Sequence, residues 1–211
     1  MKDIKKIRVL VFLTALSAGI LVISNIVAVK LWDFFGISVD GGLAIFPLTY
    51  VIGDLVVELY GKKLANFTVY TGFLINLLAV LVFLLVGILP AYAGWGGQEA
   101  YNAILGFTPR IVAGSLAAYV VSGIVNNFVF EKIRKKTGEK RLWARAIGSS
   151  VVAKLTDTVV FEVIAFFGLL SLPEFLAQMG FAYVASIILE IALMPLTYFL
   201  VKRLRKYEIR G

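Results

Sequence analysis

The residues in this chain that could do chemistry are carboxylates set among apolar neighbours. Asp54 and Glu58 are four apart, the spacing that puts two side chains on one helix face. Two carboxylates so placed repel each other unless a cation, a proton or a hydrogen-bond donor comes between them. Glu58 in turn stands four residues before Lys62. Further along, Lys154 and Asp157 are three apart and so adjacent on a helix, and Ser150 and Phe161 extend the same face. Glu162 lies roughly 140° around the helix from Asp157 and is expected to face another element. Glu190 stands five residues before Pro195 in a later apolar stretch. Carboxylates of this kind can accept paired N–H donors or hold a proton. The chain has no histidine, so any proton coupling near neutral pH falls to them.

The elements that must position these groups follow from composition. Of 211 residues, 60% are hydrophobic and 16% charged, and the mean hydropathy is +0.92. Soluble domains are roughly 45–50% apolar and about 25% charged. The chain carries more apolar side chains than one core can hide, which excludes an ordinary soluble enzyme and makes lipid the expected solvent. At roughly 20 residues per helical crossing, six spans fit with short connectors. An ionised side chain near the bilayer centre costs roughly 2.5–3.5 kcal/mol on insertion scales. Each must therefore face a partner or a wet cavity.

Six apolar stretches mark the spans: Val9–Val29, Leu43–Tyr60, Leu64–Leu89, Ile111–Phe130, Ala146–Leu170 and Gln178–Val201. Breakers separate them: Gly41-Gly42, Gly61, Pro90, Pro109, Gly138 and Pro173. Trp32, Trp95 and Trp143 fall in the connectors, where interfacial anchors belong. The basic start, Met1 to Arg8, precedes an apolar run longer than a signal peptide's core, so it reads as a retained first span. All of the 21 Lys and Arg except Lys30, Arg110 and Lys154 fall at the two ends or in alternate connectors. That places both termini in the cytoplasm. The expected fold is all-α, one six-helix transmembrane bundle over residues 1–211, multi-pass in the plasma membrane. The net charge of +8 then answers anionic lipid at the cytoplasmic face rather than nucleic acid.

Other polar residues in or beside the spans are Asn25, Lys30, Arg110, Asn126 and Asn127. Pro47 interrupts the second span seven residues before Asp54. Such breaks either kink a helix or free backbone groups near the midplane to hold a ligand. With no cysteine or histidine there is no thiol nucleophile and no Cys/His metal site. Walker A, HExxH and nucleophile-elbow sequences are missing, so nothing points to catalysis, to a cofactor or to ATP hydrolysis by the chain itself. A short pattern recurs at an offset of 31: Val129-Phe130-Glu131 matches Val160-Phe161-Glu162.

One stretch is distinctive. Phe46-Pro47-Leu48-Thr49-Tyr50-Val51-Ile52-Gly53-Asp54, continuing to Glu58-Leu59-Tyr60-Gly61, resembles the signature segment of the six-span queuosine precursor transporters, also called vitamin uptake transporters. Asn25 to Lys30, Arg110 to Ser115, and Arg145 through Gly168 are similar to further segments of that family. Two positions depart from it. Lys154 stands where the family usually has Gln, and Gly123 and Asn126 stand where it often has Gln and Asp.

The resemblance implies import of a 7-deazaguanine base such as preQ0 or preQ1, or of a related purine-like base. The residues expected around that small-molecule cargo are Asn25, Phe46, Tyr50, Asp54, Glu58, Arg110, Lys154 and Asp157, with Asp54 or Asp157 on its paired N–H edge and Asn25 and Arg110 as secondary polar contacts. A guanine-like edge offers two adjacent N–H donors that one carboxylate can accept. Aromatic rings such as Phe46, Tyr50 and Phe161 can stack on a flat base. The lipid bilayer is the other partner. A second copy of the chain or a coupling ATPase module would be its protein partners. The competing readings are a substrate-binding subunit of an ATP-driven vitamin transporter and a membrane enzyme acting on lipid.

Overall fold

The computed structural model describes residues 2–137 and 142–205. Helices dominate: α1 (Lys2–Val27), α2 (Pro47–Gly87), α3 (Gln98–Ile104), α4 (Thr108–Thr137), α5 (Leu142–Phe166) and α6 (Leu172–Leu204). The four stretches Ile4–Val27, Pro47–Gly87, Gln98–Ile133 and Leu172–Leu204 are long and apolar enough to cross a membrane. The fifth expected span, α5, is not among them; Arg145, Lys154, Asp157 and Glu162 put four charged residues in its length.

The second and third expected spans fall in the single long α2, which breaks at Gly61. Its φ of 80° and ψ of 167° are open to glycine and strained for any other residue. The contacts of α1 show what the break does. Ser24 Oγ donates to the Gly42 carbonyl just before α2, and Tyr60 Oη donates to the Lys6 carbonyl at the end of its first half. That half therefore runs antiparallel to α1. Beyond Gly61, Thr68 meets Thr14 at 3.0 Å and Asn76 accepts from Asn25 at 2.7 Å. The second half thus runs parallel to α1, and the chain reverses direction at Gly61.

The second half of α2 is built for lipid. Its outward residues are large and apolar, Phe67, Leu74, Leu78, Leu81 and Leu85 among them, each more than half exposed. Its buried face is small or polar: Ala65, Thr68, Gly72, Asn76 and Val80. This inverts the pattern of a soluble helix. Small residues let membrane helices approach closely, and polar ones bond across. A Cβ added at Gly72 would sit 3.4 Å from the Leu21 side chain and 3.9 Å from the Ala18 backbone.

The chain divides into two compact units. The first comprises Met1–Trp32, Val39–Pro109 and Ala185–Gly211. Its core joins Leu13 and Ile20 of α1 to Val51, Ile52, Leu55, Val56 and Leu59 of α2, with Leu193 and Leu200 of α6 packed against it. The short α3 ties back to the end of α2, Tyr101 Oη donating to the Phe83 carbonyl at 2.9 Å. The second unit comprises Asp33–Ser38 and Arg110–Val184. In it Gly114 of α4 lies against the Phe161 backbone, where an added Cβ would come within 3.2 Å of the carbonyl.

One element departs from the all-α expectation. Residues read as a connector form a hairpin of β1 (Leu31–Phe34) and β2 (Ile37–Asp40). Its two turn residues, Phe35 and Gly36, both have positive φ, 53° and 85°. That is the sign the favoured two-residue hairpin turns require. Asp33 Oδ1 accepts from the Gly36 amide and holds the turn. Trp32 therefore lies in a strand, and Trp143 lies in α5 rather than in a connector, because that helix begins at Leu142. Gly138, Lys140 and Arg141, expected in the basic connector, and Lys206 and Arg210 at the end, lie outside the described residues.

Candidate functional site

The approach to α2 is held by side-chain hydrogen bonds and close backbone packing. Asp40 caps the 3-10 turn Gly41–Ala44, its Oδ1 accepting from the Leu43 amide at 3.2 Å. Trp32 Nε1 donates to the Asp40 carbonyl. A Cβ on Gly41 would collide with the Val27 carbonyl, and one on Gly42 would sit 2.8 Å from Asp40 Oδ1. Burial pushes the Asp40 carboxyl up to about 6, against the amides of Gly42 and Leu43, which favour its charged form.

This turn delivers Phe46 and Pro47 to the start of α2, with Pro47 in the first turn, where its missing N–H costs nothing. Phe46 and Tyr50 meet edge to face, ring centroids 5.3 Å apart. Thr49 Oγ1 donates back to the Phe46 carbonyl. Tyr50, Asp54 and Glu58 follow at intervals of four, so they line one face. The opposite face, Ile52 and Val56, and the flank Val51, Leu55 and Leu59 are buried in the core. Asp54 and Glu58 are both exposed on the protein surface. Glu190 of α6 lies close enough to Asp54 to repel its charge. The helical spacing from Glu58 to Lys62 is interrupted at Gly61, and no ion pair joins them among the described residues.

Asn25 sits elsewhere in this unit. It is buried, and its Nδ2 is committed to Asn76 Oδ1, while Asn76 Nδ2 donates to the Gly72 carbonyl. Its amide knits α1 to α2. Lys30 has its backbone in the turn after α1, its carbonyl accepting from the Gly41 amide at 2.8 Å.

In the second unit Arg110 also has a structural task. Its Nε donates to the Ile164 carbonyl and its Nη2 to the Phe167 carbonyl, both at 2.6 Å. These are carbonyls of the last turn of α5 and just beyond it, where helix partners run out and the dipole favours a cation. Gly168, with φ of 86°, turns the chain away there. Asp157 is half-buried and accepts from Ser122 Oγ of α4 at 3.1 Å, with the Lys154 charge nearby. The Lys154 carbonyl accepts from Thr158 Oγ1. Phe161 meets Phe166 edge to face at 5.8 Å. Glu162 points away from Asp157 and meets Gln178 of α6, whose Nε2 donates to its Oε2 at 2.9 Å.

The expected site residues thus fall into two sets. Phe46, Tyr50, Asp54 and Glu58 form a continuous face in the first unit, and Lys154 and Asp157 share a face of α5 in the second. Asn25 and Arg110 hold helices together. Ser122, Asn76 and Gln178 are the polar partners that sequence reasoning missed. Each is uncharged, and nothing in its local sequence signals a partner 35, 51 or 16 residues away. Among the described residues no cluster of His, Cys, Asp or Glu could hold a metal ion.

Comparison with known proteins adds the following. The sequence profile of a family described as "Putative vitamin uptake transporter" matches residues 40–200. A "Probable queuosine precursor transporter" of Bacillus subtilis is 30% identical over 181 residues, covering 84% of this chain and 78% of that protein. The "Queuosine precursor transporter" of Escherichia coli is 26% identical over 64% of this chain and 58% of its own length. A "Probable queuosine precursor transporter" of Haemophilus influenzae is 28% identical over 74% of this chain and 66% of its own length. No solved structure matches the chain.

Proposed function

The chain belongs to the vitamin uptake transporter family, a multi-pass transporter of the plasma membrane, and from that premise we propose that it imports a queuosine precursor. The cargo is a 7-deazaguanine base such as preQ0 or preQ1. The relatives' names support this cargo class. The observation that carries it in this chain is the face of α2 on which two aromatic rings in contact lead to two carboxylates one turn apart. A flat base can lie on Tyr50 or Phe46 while its paired N–H groups reach the Asp54 carboxylate. Asp157, with Ser122 and Lys154, is the corresponding acceptor of the second unit.

The proposed topology has six crossings and cytoplasmic termini. The reversal at Gly61 supports it by supplying three passages of alternating direction from α1 and the two halves of α2. The helices α4, α5 and α6 supply three more, and the alternation of basic residues supports the orientation. Cysteines placed singly at Gly97 and Lys136 would then label from opposite sides of the membrane; labelling of both from outside would refute this topology.

We propose that the chain transports without an enzymatic activity of its own. The test is uptake of radiolabelled precursor by proteoliposomes holding the purified chain alone. Accumulation that saturates and is competed by 7-deazaguanine, but not by an unrelated vitamin, supports a self-sufficient transporter. Uptake that appears only with an added ATPase module would make the chain a substrate-binding subunit instead.

A further inference from the structure

The second unit contains a polar pair that neither helix packing nor the proposed Asp54 face accounts for. Glu162 of α5 and Gln178 of α6 are each 1% exposed. Gln178 Nε2 donates to Glu162 Oε2 at 2.9 Å, but Gln178 Oε1, equally buried, has no hydrogen-bond partner among the described residues. A buried amide carbonyl without a hydrogen-bond partner is expensive. If the pair only joined two helices, apolar residues of the same volume would do so at no such cost.

The surroundings indicate what would complete it. One turn after Glu162 on α5 stands Phe166, and one turn before Gln178 on α6 stands Phe175; both rings are buried. A carboxylate and an amide carbonyl, each with a buried aromatic residue one turn away on its own helix, suit a flat heteroaromatic ligand. The carboxylate and Gln178 Oε1 accept its N–H groups, and the rings cover its faces.

We propose that Glu162 and Gln178 form a second recognition centre, separate from Asp54, for a flat nitrogen-rich base presenting adjacent ring and exocyclic N–H donors. In the state described, the two side chains satisfy each other in part. The incoming base takes the place of that hydrogen bond. This proposal rests on the transport reading above and adds to it a second station for the same class of cargo.

The experiment uses the full chain in lipid nanodiscs and two probes, 7-deazaguanine and 7-deazahypoxanthine, which lacks the exocyclic amine. Binding is measured in the Asp54→Asn chain, where the first acceptor is gone. Residual binding that prefers 7-deazaguanine is expected, and Glu162→Gln added to that chain should weaken it by at least about 10-fold and abolish the preference. The pair Glu162→Leu with Gln178→Leu, also added to that chain, removes the buried polar groups. It should match the Asp54→Asn parent in melting temperature or exceed it, while losing the same binding. Residual binding unchanged in folded chains carrying either addition overturns the second centre. So does an Asp54→Asn chain that binds neither probe while the wild type binds both. A wild-type chain that binds neither probe overturns the cargo reading itself, and this proposal with it.

Discussion

The two halves of α2 carry polar residues and use them in opposite ways. Beyond Gly61, Thr68 and Asn76 face α1, and each is bonded to a partner there: Thr14 at 3.0 Å and Asn25 at 2.7 Å. Before Gly61, Tyr50, Asp54 and Glu58 line a face that leaves both carboxylates exposed. The first pattern is the glue of a membrane bundle, in which uncharged polar side chains bond in pairs between closely packed helices. The second leaves two carboxylates open, which is what the proposed cargo face needs. The difference teaches that polarity alone does not mark a binding residue in a membrane chain. What marks it is a polar group not yet committed to the fold.

That contrast can be broken at its committed side. The largest effect should come from Asp40, buried and bonded to the turn that leads into α2. Its carboxyl is pushed up to about 6 in the fold, above its value in the unfolded chain. The native state therefore holds a proton that the unfolded state has released. This contribution is fully present below about pH 4, falls as pH rises to about 6, and is level above. At about 1.4 kcal/mol per pKa unit the change is on the order of 3 kcal/mol. Melting temperature measured from pH 4 to 7 should show the slope in the wild type. It should be flatter in Asp40→Asn, which keeps a cap acceptor without the titration.

Arg110 comes next. Replacing it with Met removes two charge-assisted hydrogen bonds to the end of α5 and should cost about 2 kcal/mol of stability. Cargo affinity per folded molecule should be unchanged. A selective loss of affinity at constant melting temperature would instead make Arg110 a contact of the cargo. The smallest effect is expected at Asn25. Asn25→Ala removes one interhelical bond to Asn76 and should cost about 1 kcal/mol, read as a lower melting temperature in detergent, again without change in affinity.

The helices were legible because apolar runs of spanning length have few other uses, and glycines and prolines punctuate them. Gly61 was legible as a breaker, although the reversal it makes is shown only by which α1 residues each half of α2 meets. The hairpin Leu31–Asp40 was not, because four-residue strands inside a span connector carry too little periodicity to separate from a loop. Among site residues, the charged ones announced themselves by their cost in lipid. Their commitments did not. Arg110 bonds carbonyls 54 and 57 residues away, and Asp157 bonds a serine 35 residues away. No local pattern encodes those partners. Glu162 was expected to leave the Asp157 face, and the angle between successive residues on a helix sufficed for that; the identity of Gln178 required the fold.

The uncommitted side of the contrast carries the central claim, that the open carboxylate face of α2 holds the cargo. The most direct test is the affinity of the Asp54→Asn chain for a 7-deazaguanine precursor in nanodiscs, with melting temperature measured on the same preparation. Loss of a charge-assisted acceptor should lower affinity at this face about 10- to 150-fold, or about 1.5–3 kcal/mol, with melting temperature unchanged. A folded Asp54→Asn chain that binds the precursor as tightly as the wild type would contradict the account.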